Sequence, residues 1–220
     1  PMTSGSIWKQ MTFFAMPIFL GNLFQQLYNT VDSLIVGNFL GSSALAAVSS
    51  SGSLIFMLIG FLSGISAGAG VIVARFFGAG DEKNLQRAVH TTVAFGLVAG
   101  VLMTGVGVAL SPQILRWMDT PESVMRESVT YLQIYFAGSL GFVMYNVLVG
   151  ILQAVGDSRH PLYYLIVSSV INLVLDLLFI TGFHTGVGGA AVATVISQIV
   201  SALLCFWQLL RTKESYGLKI

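Results

Sequence analysis

Residues 44–76 read ALAAVSSSGSLIFMLIGFLSGISAGAGVIVARF, a run of small and apolar residues whose first charge is Arg75, at its far end. An uninterrupted apolar run of this length has the reach of a bilayer-spanning helix. It is not an isolated case. Only 9% of the 220 residues are charged against 55% hydrophobic, and the mean hydropathy is +0.84. A soluble domain carries about 25% charged residues, so this chain lacks the side chains to cover a water-facing surface. The expected class is an all-α membrane protein.

Working outward, the breaks between apolar runs carry their own signals. Asn38 to Ser43 is a short Gly/Ser turn, Gly78-Ala-Gly-Asp-Glu-Lys83 a polar loop, and Gly156-Asp-Ser-Arg-His-Pro161 a second one. Ser111-Pro112 opens a short amphipathic piece, and Thr120-Pro121-Glu122 has the order of a helix cap, first residue and first-turn acid. Six spans follow: about 11–37, 44–76, 87–110, 121–154, 161–182 and 188–210, with 211–220 beyond the last. The first run exceeds a signal-peptide core and holds polar residues, so it is read as a span. Lys9, Arg75, Lys83, Arg87, Arg159, Arg211, Lys213 and Lys219 fall on one side, and Arg116 and Arg126 on the other. Basic residues mark the cytoplasmic face, which places both ends there. Gly60, Gly64 and Gly68 share a face of the second span and Gly96 and Gly100 one of the third, as in tightly packed helices.

A net charge of +1 excludes a nucleic-acid partner. One cysteine, Cys205, excludes an internal disulfide. The three histidines, His90, His160 and His184, have no ligand-like spacing. Chemistry is therefore sought among the acids. Seven of nine lie in loops, at helix ends or in the tail; Asp32 and Asp176 lie inside spans. An acid at mid-bilayer costs on the order of 2.5–3.5 kcal/mol and marks an ion or proton path. Ser168, Asn172 and Asp176 recur every fourth residue, and Gln25, Asn29 and Asp32 share a face of the first span. Lipid cannot satisfy these groups, so both stripes are expected to turn inward toward a common cavity. Two carboxylates in one dry pocket repel and are poorly solvated, and a captured proton or Na⁺ relieves both. No basic residue lies at their depth to neutralise them instead. Pro17 removes a backbone hydrogen bond of the first span and permits a bend.

Several strings are similar to one known family: Tyr28-Asn-Thr-Val-Asp32, Val36-Gly-Asn-Phe-Leu-Gly41, Val73-Ala-Arg-Phe-Phe-Gly78, Leu152-Gln-Ala-Val-Gly-Asp157, Asn172-Leu-Val-Leu-Asp176 and Gly188-Gly-Ala-Ala-Val-Ala-Thr194. In this order they resemble the multidrug and toxic-compound extrusion (MATE) family. The resemblance implies one six-helix lobe of a twelve-helix, two-lobe transporter in a bacterial plasma membrane. That transporter would export cationic amphipathic drugs in exchange for H⁺ or Na⁺, without a cofactor and without enzymatic activity. Its other partners would be membrane lipid and the missing carboxy-terminal lobe, or a second copy of this chain. It further implies a cation-coupling set of Asp32, Asp176 and Asn172, joined by Tyr131, Asn146 and Thr194, with Pro17 as the kink. Gln25, Asn29 and Ser168 would face the substrate cavity, and Na⁺, if used, would sit at Asp32, Asp176 and Asn172. The alternative is a lipid or lipid-linked oligosaccharide flippase of the same superfamily. Such cavities hold phosphate with basic residues, and here the basic residues within the spans, Arg75, Arg87 and Arg126, stand only near span ends. An intramembrane aspartyl protease would need Gly-x-Gly-Asp on a span, and Gly78-Ala-Gly-Asp81 lies in a charged loop.

Overall fold

The computed structural model describes residues 5–218; Lys219, counted above on the basic side, and Ile220 lie outside them. Seven α-helices follow in chain order: α1 Ile7–Leu40, α2 Ser42–Gly78, α3 Glu82–Trp117, α4 Glu122–Ala137, α5 Ser139–Ala154, α6 Arg159–Leu177 and α7 Gly186–Arg211. α6 continues through a π-helical turn, Leu178–Gly182. The described residues form no strand. α2, α3, α6 with its π turn, and α7 are each long and apolar enough to cross a membrane. α4 and α5, bent by 52° at Gly138, together make one more such length. α1 has the length, but its amides and Asp32 dilute its hydropathy. The result is a six-rod membrane bundle.

Two breaks differ from the sequence expectation. α3 does not stop at Ser111-Pro112 but runs on to Trp117. Pro112 has no N–H for the carbonyl of Val108, and Gln133 of α4 donates its amide to that oxygen at 3.4 Å, which lets the helix pass through. Conversely, the fourth span is broken. Gly138 separates α4 from α5 where the Val195 side chain of α7 occupies the space a Cβ would take, 2.2 Å from its position.

α5 is the central rod, packed on α2, α3 and α7. Leu85 and Val89 of α3, Leu148, Ile151 and Leu152 of α5, and Cys205 and Leu209 of α7 form one core. Large apolar residues on the outer faces, such as Phe19, Phe56, Phe61 and Leu102, are exposed, as lipid-facing positions require.

The glycine stripes divide. On α3, Gly96 and Gly100 do pack closely: a Cβ on Gly100 would stand 3.0 Å from Cα of Leu140. On α2, Gly60, Gly64 and Gly68 have no atom of the described residues within 4 Å of a Cβ position, so the close packing expected for them is not made among these helices. The buried side of α2 carries Leu62, Ser66 and Val73, and at 100° per residue the glycines lie opposite.

Beyond α7 the chain folds back. Leu218 N–H donates to Leu209 O (2.9 Å), Gln86 Nε2 donates to Ser215 O (2.6 Å) and Gly217 O (2.8 Å), and Tyr216 packs edge-on against Phe77 at 5.8 Å. Gln86→Ala removes the donor from two carbonyls at once, a loss of about 1–3 kcal/mol. Amide exchange of residues 212–218 is expected to quicken about tenfold or more, while α5 is unchanged. At the start of α3, Asp81 accepts from the Asn84 side chain (2.6 Å) and N–H (3.1 Å). These bonds hold its carboxyl below the ordinary value. The cap is therefore complete above that ordinary value and is lost only as pH falls through the lowered one.

Candidate functional site: a paired-carboxylate pocket

Asp32 and Asp176 come from rods far apart in sequence, and the fold brings their carboxyls within hydrogen-bonding reach of each other. Asp176 is fully buried and Asp32 half-buried. Asn172, one turn before Asp176 and also fully buried, organises the pocket. Its amide nitrogen donates to Asp176 Oδ2 at 2.7 Å, and its oxygen accepts from the Thr194 N–H and the Tyr28 hydroxyl, each at 3.1 Å. The Thr194 and Ser197 hydroxyls stand 3.3 and 3.4 Å from that amide. They in turn donate to Ala190 O and Thr194 O along α7. Tyr131, buried on α4, lies within electrostatic range of Asp32, Tyr28 and Asp176 and stacks on Tyr135 at 6.4 Å. Tyr135 is hydrogen-bonded to Gln198.

One feature of this network is unbalanced. Asp32 Oδ1 and Asp176 Oδ1 are buried and receive no hydrogen bond from the described residues. Buried acceptors are nearly always paired, and two facing carboxylates cannot donate to each other unless one holds a proton. The pocket therefore favours binding a positive ion over remaining empty and doubly charged. No trio of His, Cys, Asp or Glu is gathered to hold a metal among the described residues. The donors are two carboxylates, hydroxyls and one amide, a hard-oxygen set.

A cavity of about 1320 Å³ adjoins the pocket. Tyr28, Ser197 and Gln198 line its inner end, and Asp157, Ser158 and Arg159 line the α5–α6 corner. Gln25, Asn146, Ser168 and Pro17 lie on its wall. Asn146 donates to the Phe142 carbonyl of its own helix (2.9 Å) and forms part of the wall, not of the acid network. α1 runs unbroken through Pro17.

Asn29 is placed differently from expectation. It is exposed and absent from the cavity wall, and its carbonyl accepts from Ser33. One residue is 100° of helix turn, and the inward position belongs to Tyr28, four residues before Asp32. The Tyr28–Asp32 spacing of one turn was the signal available for this residue. Ser197, Tyr135 and Gln198 also complete the site; Ser197 sits one turn from Thr194, and the other two carry no comparable sequence signal.

The MatE family model matches residues 17–178, which includes both acids, Asn172 and most of the cavity wall. The chain belongs to the MatE family. It is 37% identical over 213 residues to the probable multidrug resistance protein YoeA of Bacillus subtilis (strain 168), covering 95% of this chain and 46% of that protein. With the probable multidrug resistance protein YpnP of the same organism it shares 35% over 211 residues, covering 96% and 47%. Its fold superposes on a solved structure described as MATE in the bent conformation with a TM-score of 0.90 at 27% identity, covering 98% of this chain and 48% of that one. This MatE chain thus spans about half the length of the curated relatives it matches, as one lobe of a two-lobe architecture does.

Proposed function

We propose that this chain is the ion-coupling lobe of a secondary antiporter, multi-pass in a bacterial plasma membrane with its basic face toward the cytoplasm. The antiporter exports cationic amphipathic compounds in exchange for an inward-moving cation. The observation that carries the proposal is the pair of carboxyls with two buried oxygens that no group among the described residues satisfies. Such a pair is stable only with a cation between or upon its members. It can therefore hold an ion from one side of the membrane and release it when the surroundings change.

The coupling ion in this reading is a proton. Asn172 turns its nitrogen toward Asp176 and its oxygen toward Thr194 and Tyr28. That leaves the carboxylates without the amide oxygen that a sodium ion would need from Asn172, whereas a shared proton needs only the carboxyls. Protonation removes the repulsion between α1 and α6, and α1 then repacks against α6 and α7. Pro17, on the cavity wall, offers the point at which α1 bends. Repacking reshapes the cavity and weakens its hold on the substrate. The aromatic wall, with Phe14, Phe77, Phe142 and Tyr145, suits a flat organic cation. The cavity's basic residue, Arg159, lies only at its end, which supports a cationic cargo over a phosphate-bearing lipid. The driving force is about 2.3 kcal/mol per charge per 100 mV plus about 1.4 kcal/mol per pH unit, enough for a ten- to thousand-fold gradient.

The test uses the full-length protein that carries this chain, reconstituted into vesicles loaded with ethidium. Dye movement is expected under a pH gradient at equal Na⁺. A response only to Na⁺ at equal pH would reassign the ion, and no gradient-dependent movement would overturn the exporter.

A further inference from the structure

At the opposite end of α6 from Asp176 stands a second acid that the coupling site does not use. Asp157 lines the same cavity. Its Oδ1 accepts from the backbone N–H of His160 (3.2 Å), and its Oδ2 is 2.6 Å from His160 Nδ1. The imidazole is partly exposed, with 42% of its side chain accessible against 16% for Asp157. Tyr163 and Tyr164 flank the ring at 6.3 and 6.0 Å. Roughly 25 Å of helix separates this pair from Asp176 at 1.5 Å per residue. The cavity spans that interval, and Gln25, Ser66, Asn146, Ser168 and Ser169 line it. Its volume accommodates tens of waters, and hydroxyls and amides line its wall between the acid pair and the α5–α6 corner. That corner is on the basic face.

We infer that the Asp157–His160 pair is the proton-release station of the antiporter, taking each proton from the cavity and passing it to the cytoplasm. This deepens the exporter reading and rests on its orientation and its proton coupling. With Nδ1–H fixed on the Asp157 carboxylate, Nε2 is the basic nitrogen. It gains a proton leaving the acid pair through the cavity water and forms an imidazolium, which the carboxylate stabilises. Nε2 then gives that proton to bulk water, and the neutral ring is restored. Imidazole is the side chain that ordinarily changes charge between pH 5 and 8. Other titratable groups near the pair are Tyr163 and Tyr164 of α6, beside the ring, and Cys205 of α7 and Tyr216 of the returning tail, within electrostatic range of Asp157. Phenols and thiols ordinarily keep their protons below pH 8. Arg159, beside the pair, is permanently charged.

Asp157 also holds the first turn of α6, so a helix-capping role alone must be told apart from a relay. Asp157→Asn keeps an acceptor for the His160 N–H and removes the charge that stabilises the imidazolium; His160→Gln keeps a polar side chain and removes the titrating nitrogen. Both are made in the full-length protein in oriented vesicles. Ethidium is supplied, and proton appearance on the cytoplasmic side is followed with a trapped pH dye. Each variant is expected to slow that appearance about tenfold, a modest share of what a positioned proton acceptor contributes. Each should also flatten its dependence on cytoplasmic pH between 6 and 8, with the dependence on external pH and the thermal midpoint unchanged. Parallel losses on both pH axes, or wild-type profiles in both variants, would overturn the relay and leave the exporter reading standing. Na⁺-driven dye efflux with no proton flux would do the same. Undiminished coupled efflux in Asp176→Asn would instead remove the exporter reading beneath it.

Discussion

Asp176→Asn in the full-length transporter is expected to uncouple dye efflux from the ion gradient, lowering gradient-driven transport by about 5- to 150-fold, the range of a typical coupling free energy. The physical argument turns on what the amide keeps and what it loses. It fills the same volume beside Asn172, on a fully buried site, but it neither accepts a proton nor repels Asp32. The lobe then behaves as though permanently loaded. Asp32→Asn is expected to act in the same direction with a smaller effect. Asp32 is only half-buried, and the fully buried Asp176 still lacks a donor to Oδ1. Stability should move the other way. Removing a buried charge that lacks a partner relieves a desolvation cost, so the thermal midpoint of Asp176→Asn should equal or exceed that of the wild type. Full coupled efflux in this variant, or a fall in its midpoint, would contradict the assignment.

The second large effect concerns packing. Gly100→Leu is expected to prevent the bundle from closing, with loss of the monodisperse species on size-exclusion chromatography in detergent. A Cβ at this position would lie 2.6 Å from Leu140 Cδ1 and 3.0 Å from Leu140 Cα. The δ-methyl can swing aside, but the backbone of α5 cannot without parting from α3. Overpacking a close contact costs about 1–3 kcal/mol even where neighbours relax, and here the neighbour is main chain. Gly64→Leu is the control, because nothing among the described residues lies within 4 Å of its Cβ position. It should leave the stability of this lobe within about 0.5 kcal/mol, as surface changes usually do. Equal behaviour of the two variants would show that the α3–α5 approach is not what limits the bundle.

These two sites also show what the sequence could and could not say. Asp32 and Asp176 were legible because an acid in a lipid-spanning helix is costly wherever it points, so its presence alone implies a chamber. Direction was harder. The fourfold spacing of Gly60, Gly64 and Gly68 shows that they share a face, but only the buried positions of Leu62, Ser66 and Val73 reveal that it is the outer one. The spacing of Gln25, Asn29 and Asp32 puts Asn29 on the inner face, yet the helix turns Tyr28 there instead. A tyrosine in a span reads as another ring, and its hydroxyl becomes informative only once Asn172 is seen to accept from it. The passage of α3 through Pro112 depended on Gln133, 21 residues further along the chain, and no local pattern encodes such a rescue.

The bend at Gly138 bears on how the protein enters the membrane. α4 and α5 are 16 residues each, and crossing the hydrocarbon takes about 20. α4 also carries Glu122, Arg126 and Glu127. Neither half is therefore a self-sufficient insertion unit. During synthesis the two must partition into the bilayer together, and Tyr131 of α4 takes its place near the acid pair only when α5 has emerged to complete the crossing.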